Sequence, residues 1–236
     1  MTLTDKHNSR ISIQVGLSGY SFIRYIGSEV YSSGWLAADR IFTCADLQRR
    51  YAEVEVGVFT PKFTLVPENF HSPERSVEIL SEMVTIEDSD SVHFVPVPEF
   101  GAVLVYSNSV GGTLSKVISQ TVLKIDGSPS VPRPCVYYML NHLFGMSEYN
   151  KIVAAFADGW LYLLIAQGRT LLLCNCFRSP DFTTAEYFIF LAMKRLQLNP
   201  EVSSITFITP LQEEEEMSLY RYFRGVEVMH SRGDGQ

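Results

Sequence analysis

Between positions 152 and 198 the sequence runs through three apolar stretches, two tight turns and one long apolar helix. That order limits the fold more than any other feature. Residues 152–157, 161–166 and 171–177 read as strands. Asp158-Gly159 between the first two is the dipeptide favoured by a type I′ hairpin, and Gln167-Gly168 marks the second turn. Thr183-Thr184-Ala185-Glu186 reads as a capping box, with Thr183 accepting from a first-turn amide and Glu186 reaching back. Phe182 and Tyr187 are placed for a hydrophobic staple. Phe188, Ile189, Phe190, Leu191, Ala192, Met193 and Leu196 then make a helix apolar almost all round, which predicts cover on more than one side. It stops before Pro200.

A strand follows at 204–209, then a helix at 213–224 and a last strand at 226–229. The second helix carries glutamates at 213–216 and Arg221 and Arg224 at its end, as the helix dipole prefers. Gly225 is placed to close it. The second half therefore reads β-β-β-α-β-α-β.

The first half opens in the same way. Strands are expected at 11–17, 20–26 and 30–37, a short helix at 46–52, and a cleanly alternating strand at 54–60. Residues 63–67 read as another short strand. Ser72-Pro73-Glu74 is a helix start, with Val77, Leu80, Met83 and Val84 as its apolar stripe. Strands at 93–97 and 102–106 and helices at 114–121 and 136–144 complete it. Residues 126–134, rich in Gly, Ser and Pro, are the linker candidate. Two halves of similar order imply an internal duplication, with domains at 1–134 and 135–236.

The net charge of −7 argues against a nucleic-acid partner, which needs a basic face to release counterions. It argues equally against an anionic membrane surface. No apolar stretch approaches the roughly 20 residues of a membrane span, and residues 1–6 do not read as a signal peptide. A soluble, cytoplasmic protein with no membrane insertion is expected. Cys44, Cys135, Cys174 and Cys176 show no zinc spacing. Cys174 and Cys176 fall on one face of a strand as small hydrophobes. His7, His71, His93, His142 and His230 stand singly, so no metal site is expected. The glutamates at 213–216 read as a solvated helix start.

Ile13-Gln14-Val15, Phe63-Thr64-Leu65-Val66-Pro67-Glu68 and the 158–178 meander resemble an uncharacterised bacterial family of unknown function with an actin-like ATPase fold. The resemblance covers nearly the whole chain. It implies an α/β protein of two ribonuclease-H-like βββαβαβ domains facing each other, the first one irregular.

ATP users of that superfamily carry Asp-x-Gly and then Ser or Thr at the turn between the first two strands of each half. Amides and a hydroxyl in such a turn cradle phosphate while the aspartate holds Mg²⁺ or orients water. Here Gln14-Val15-Gly16-Leu17-Ser18 stands in the first place. Its glutamine is a poor Mg²⁺ ligand and its hydroxyl comes one residue late. Asp158-Gly159-Trp160 stands in the second, with tryptophan in place of the hydroxyl. Gly111-Gly112 reads as a loop.

A non-catalytic binding or scaffold protein is therefore expected, with another protein as its partner and no cofactor. Some members of the superfamily serve as cytoplasmic platforms in pilus and secretion machines. The alternative is an atypical ATPase or kinase using ATP and Mg²⁺. A third reading is self-association through Trp35, Tyr220 and Tyr222. Gln14, Ser18, Gly19, Asp158 and Gly159 are the candidate ligand residues of a presumed cleft between the domains.

Overall fold

Both halves of the chain build a five-stranded sheet with the same strand order. The computed structural model describes residues 9–108 and 112–229. By contacts these divide into two compact units, one holding 9–60, 108 and 112–135, the other 61–107 and 136–229.

In the first unit β1 (Ser9–Val15), β2 (Gly19–Ile26) and β3 (Glu29–Ala37) form an antiparallel meander, and β4 (Glu53–Val58) lies parallel to β1. Ile11, Ile13 and Val15 alternate along β1 and are fully buried, packing with Phe22, Val56, Ile118 and Val122. Between β3 and β4 the expected helix at 46–52 does not form. A 3-10 turn, Ala38–Phe42, is followed by successive turns in which Leu47, Gln48 and Arg49 donate to carbonyls three residues back. Asp46 holds this segment down. Its carboxylate accepts from Arg24 at 2.7 Å and its carbonyl from the Tyr51 hydroxyl at 2.9 Å. These tertiary bonds stand where helical ones would.

After β4 the chain leaves this sheet. β5 (Phe63–Pro67), β6 (Val92–Val97) and β7 (Ala102–Ser107) form a three-stranded antiparallel sheet of order β5-β7-β6. A short helix α1 (Ser76–Ser81) packs on it through Leu80. Of the expected stripe, Val77 and Met83 are exposed and only Leu80 and Val84 pack. Asp90, whose side chain has no exposure, ties the sheet together. It accepts from Lys62 Nζ at 2.6 Å, Ser107 Oγ at 2.8 Å and the Glu87 amide at 2.7 Å. By contacts this insertion goes with the second unit.

The chain returns through α2 (Gly112–Thr121) to β8 (Arg133–Pro134), which pairs in parallel with Gly57 and Val58 of β4. The linker candidate 126–134 thus ends in the fifth strand of the first sheet, whose order is β3-β2-β1-β4-β8. The pairing involves two residues only, too few for any periodicity to reveal. α3 (Cys135–Gly145) follows, and Lys151 Nζ donates to the Phe144 carbonyl at its C-terminal end.

The second unit repeats the plan as β9 (Asn150–Ala157), β10 (Trp160–Gln167) and β11 (Thr170–Arg178), then α4 (Phe182–Arg195), β12 (Ser204–Phe207), α5 (Glu213–Tyr220) and β13 (Gly225–Val228). The sheet order is β11-β10-β9-β12-β13, with β12 parallel to both neighbours. β9 and β10 are buried on both faces, which is why they read as unbroken apolar runs. One face packs Ile152, Ala154, Leu161, Leu163 and Ile165 against Phe182, Ala185, Ile189 and Met193 of α4. On the other, Tyr162 stacks on Phe63 with centroids 6.4 Å apart.

Three end signals differ from the expectation. Asp181, not Thr183, caps α4, accepting from the Thr184 amide at 2.7 Å. Phe182 packs edge-on with Phe156 and Tyr187 is exposed, so the staple is absent. α5 ends at Tyr220, and Gly225 opens β13 instead of closing the helix. A Cβ there would lie 2.9 Å from the hydroxyl of Ser204, its partner on β12, which would have to turn away.

Candidate functional site

The turn between the first two strands of each unit holds the residues singled out above. In the first unit Val15 pairs with Tyr20, and Gly16 N donates to Gly19 O at 2.9 Å, leaving Leu17-Ser18 as a two-residue loop. Ser18 is exposed. Gln14, buried, pairs with Ser21 across β1 and β2 and with Gly57 across β1 and β4. Its Oε1 accepts from Ser21 Oγ at 3.0 Å.

Gly19 is required by packing. A Cβ at this position would sit 2.1 Å from the Leu36 carbonyl oxygen and 3.2 Å from Trp35 Nε1. No side chain fits such a gap. The sequence makes Gly19 a candidate ligand residue because it shows only the glycine, not the neighbouring strand.

In the second unit Ala157 pairs with Trp160 and the loop is Asp158-Gly159. Both central residues have positive φ, 53° and 74°, as a type I′ turn requires. Gly159 O accepts from the Ser179 amide at 2.9 Å, fastening the turn to the chain beyond β11. Trp160 is half-buried with the Arg178 guanidinium 5.5 Å from its ring centroid. Each candidate thus sits at the same topological point of its own sheet. The structure brings Gln14, Ser18 and Gly19 onto one hairpin and Asp158 and Gly159 onto another.

Ser21 was missed by the sequence reading. A two-residue loop at 17–18 sets it opposite Gln14, so the hairpin register carried the signal.

Little else is chemically primed. Burial pushes the Cys135 thiol well above its ordinary value, against a smaller opposing contribution from the Val15 backbone. Burial also takes Cys174 and Cys176 up to about 12. Such thiols are poor nucleophiles at neutral pH. Burial lowers the His142 imidazole, partly opposed by Glu227 and Glu148. Among the described residues no group of three or more His, Cys, Asp or Glu is placed to hold a metal ion. No helix among them is long and apolar enough to cross a membrane. His7, His230 and Gly111 lie outside the described residues.

Residues 1–226 match the family model described as "Protein of unknown function (DUF3822)". The chain belongs to that family. No curated protein matches this DUF3822 member. Among solved structures it is similar to a Bacteroides thetaiotaomicron protein described as having an actin-like ATPase fold and unknown function. The TM-score is 0.65 at 14% identity, covering 97% of this chain and 93% of that one. A structure of the "PilM-PilN type IV pilus biogenesis complex" matches with a TM-score of 0.51 at 13% identity, covering 94% and 88%. At these identities the likeness is one of fold. The DUF3822 chain has the actin-like ATPase fold, and the twice-built strand order is its signature here.

Proposed function

We propose that this DUF3822 member is a non-catalytic, cytoplasmic binding protein, an actin-like fold used to hold a protein partner without turning over nucleotide. The observation that carries this reading is the Gln14–Ser21 pair. ATP users of the fold place an aspartate near this point to engage Mg²⁺. Here a neutral amide stands there, buried and hydrogen-bonded to its own hairpin. The second unit supports the same reading, with Trp160 where a phosphate-binding hydroxyl would be needed. The PilM-PilN structure is a protein complex, and that precedent for the fold points in the same direction.

Isothermal titration of the full chain with ATP and Mg²⁺ tests the proposal. No saturable heat up to millimolar nucleotide is expected. Mg²⁺-dependent binding at micromolar affinity overturns it. A second reading, an atypical nucleotide-binding ATPase or kinase, rests on Asp158 in the second turn. It requires that Asp158→Ala abolish whatever nucleotide binding is measured.

A further inference from the structure

We infer that the exposed face around His71, on the three-stranded β5-β7-β6 sheet, docks a cationic, apolar segment of a partner protein. The inference rests on the binding-protein reading above and supplies it with a surface. Phe70, Val77 and Phe94 stand at 75%, 56% and 44% exposure, and none of them belongs to the core of Leu80, Val103 and Val105. Exposed apolar side chains gathered in one place mark interaction sites, whereas scattered ones carry no such meaning.

The structure gathers these three. The His71 and Phe94 rings have centroids 4.8 Å apart, and His71 Nε2 lies 3.1 Å from Ser76 Oγ. His71 thus joins β6 to the start of α1, with Phe70 just before it and Val77 just after Ser76. The shortness of α1 is why this face stays open. Val92 and Phe94 alternate onto one side of β6. Val92 packs on the Leu80 core, and Phe94, two residues on, does not. With only six residues, α1 covers one end of that side.

Charge selects the occupant. Between positions 61 and 107 the sequence holds two basic and eight acidic residues, a net charge of −6 in a chain that carries −7 overall. The two cations are already paired, Lys62 with Asp90 at 2.6 Å and Arg75 with Glu78 at 3.0 Å. Glu68 and Glu74 are exposed and flank Phe70 and His71 in sequence, and among the described residues no ion pair engages either. Ser72 donates to the Glu74 carboxylate and holds its carboxyl below the ordinary value, so the charge persists at neutral pH. Arg and Lys suit this surface twice, by pairing with the carboxylates and by lying over exposed phenylalanine rings. A second copy of the same face would bring like charges together, and an acidic segment would meet the same repulsion.

Fluorescence anisotropy of the full chain with labelled dodecapeptides tests this. The probes are three repeats of Arg-Leu-Lys-Phe, the same peptide with Glu for each cation, and the same peptide with Ser for each Leu and Phe. The first is expected to bind about tenfold or more tightly than either other. Two pairs of changes at exposed positions locate the site. Phe70→Ser with Val77→Ser, and separately Glu68→Lys with Glu74→Lys, should each keep the thermal midpoint and weaken the first peptide about tenfold. Glu213→Lys with Glu214→Lys, at the start of α5, should leave its affinity unchanged. Absence of binding by the first peptide, or a loss from the α5 pair as large as from the Glu68 pair, overturns the inference. So does a dimer in sedimentation that Phe70→Ser with Val77→Ser dissociates, since a second copy would then be the occupant. None of these results bears on the binding-protein reading, which the Mg²⁺–ATP titration decides on its own.

Discussion

Ser21 donates from its hydroxyl to Gln14 Oε1 at 3.0 Å, strand to strand, and both residues are buried. The bond keeps the Gln14 amide within its own hairpin. Ser21→Ala leaves a buried acceptor without that donor, at an expected cost of about 1–3 kcal/mol. Replacing both partners by apolar residues, as in Gln14→Leu with Ser21→Ala, should cost less than the sum of the single changes. Urea denaturation of the four proteins of this cycle gives the coupling. Additive losses would mean that the pair contributes nothing as a pair.

Gly19 lies against the β3 backbone. A Cβ would come within 2.1 Å of the Leu36 carbonyl oxygen, which cannot move without breaking the β2–β3 ladder. Gly19→Ala is therefore expected to destabilise by about 1–3 kcal/mol or more, as overpacking does. A phosphate-binding glycine on an open turn would accept alanine with little loss of stability, so the denaturation midpoint separates the two roles.

The sequence revealed some of these features and concealed others, for physical reasons. The β9–β11 meander was legible because β9 and β10 are buried on both faces and Asp158-Gly159 suits a turn with two positive φ values. The repeated strand order followed from it. The start of α4 was misread because Asp181, Thr183 and Thr184 all have capping side chains, and spacing alone does not rank them. The 46–52 segment was misread because Leu47 and Tyr51, four apart and both buried, mimic a helical stripe. The strand at 133–134 left no pattern at all. At the candidate site the residue types were legible, but the pressure of Leu36 on Gly19 was not, since it comes from a strand 17 residues away.

The capping assignment at α4 is directly testable. Asp181 accepts from the Thr184 amide, and this bond holds its carboxyl below the ordinary carboxylate value of 3.8. A depressed folded-state value means that the stabilisation is present above the unfolded value and is lost as pH falls through the folded one. Asp181→Ala should lower the thermal midpoint at pH 7, and the difference from wild type should shrink as pH drops below about 4. Thr183→Ala should leave the midpoint nearly unchanged. A larger loss from Thr183 than from Asp181 would restore the capping box read from the sequence.

Gln197 closes α4 in the left-handed region, at φ 56°, a conformation that glycine adopts freely and glutamine does not. The left-handed state costs an ordinary residue about 1–2 kcal/mol. Glycine removes that cost but adds unfolded-state entropy worth about 0.4–1 kcal/mol. Gln197→Gly should therefore stabilise by about 0.5–1 kcal/mol, read as a higher urea midpoint at unchanged slope. An unchanged or lower midpoint would mean that the left-handed position costs glutamine nothing at this helix end.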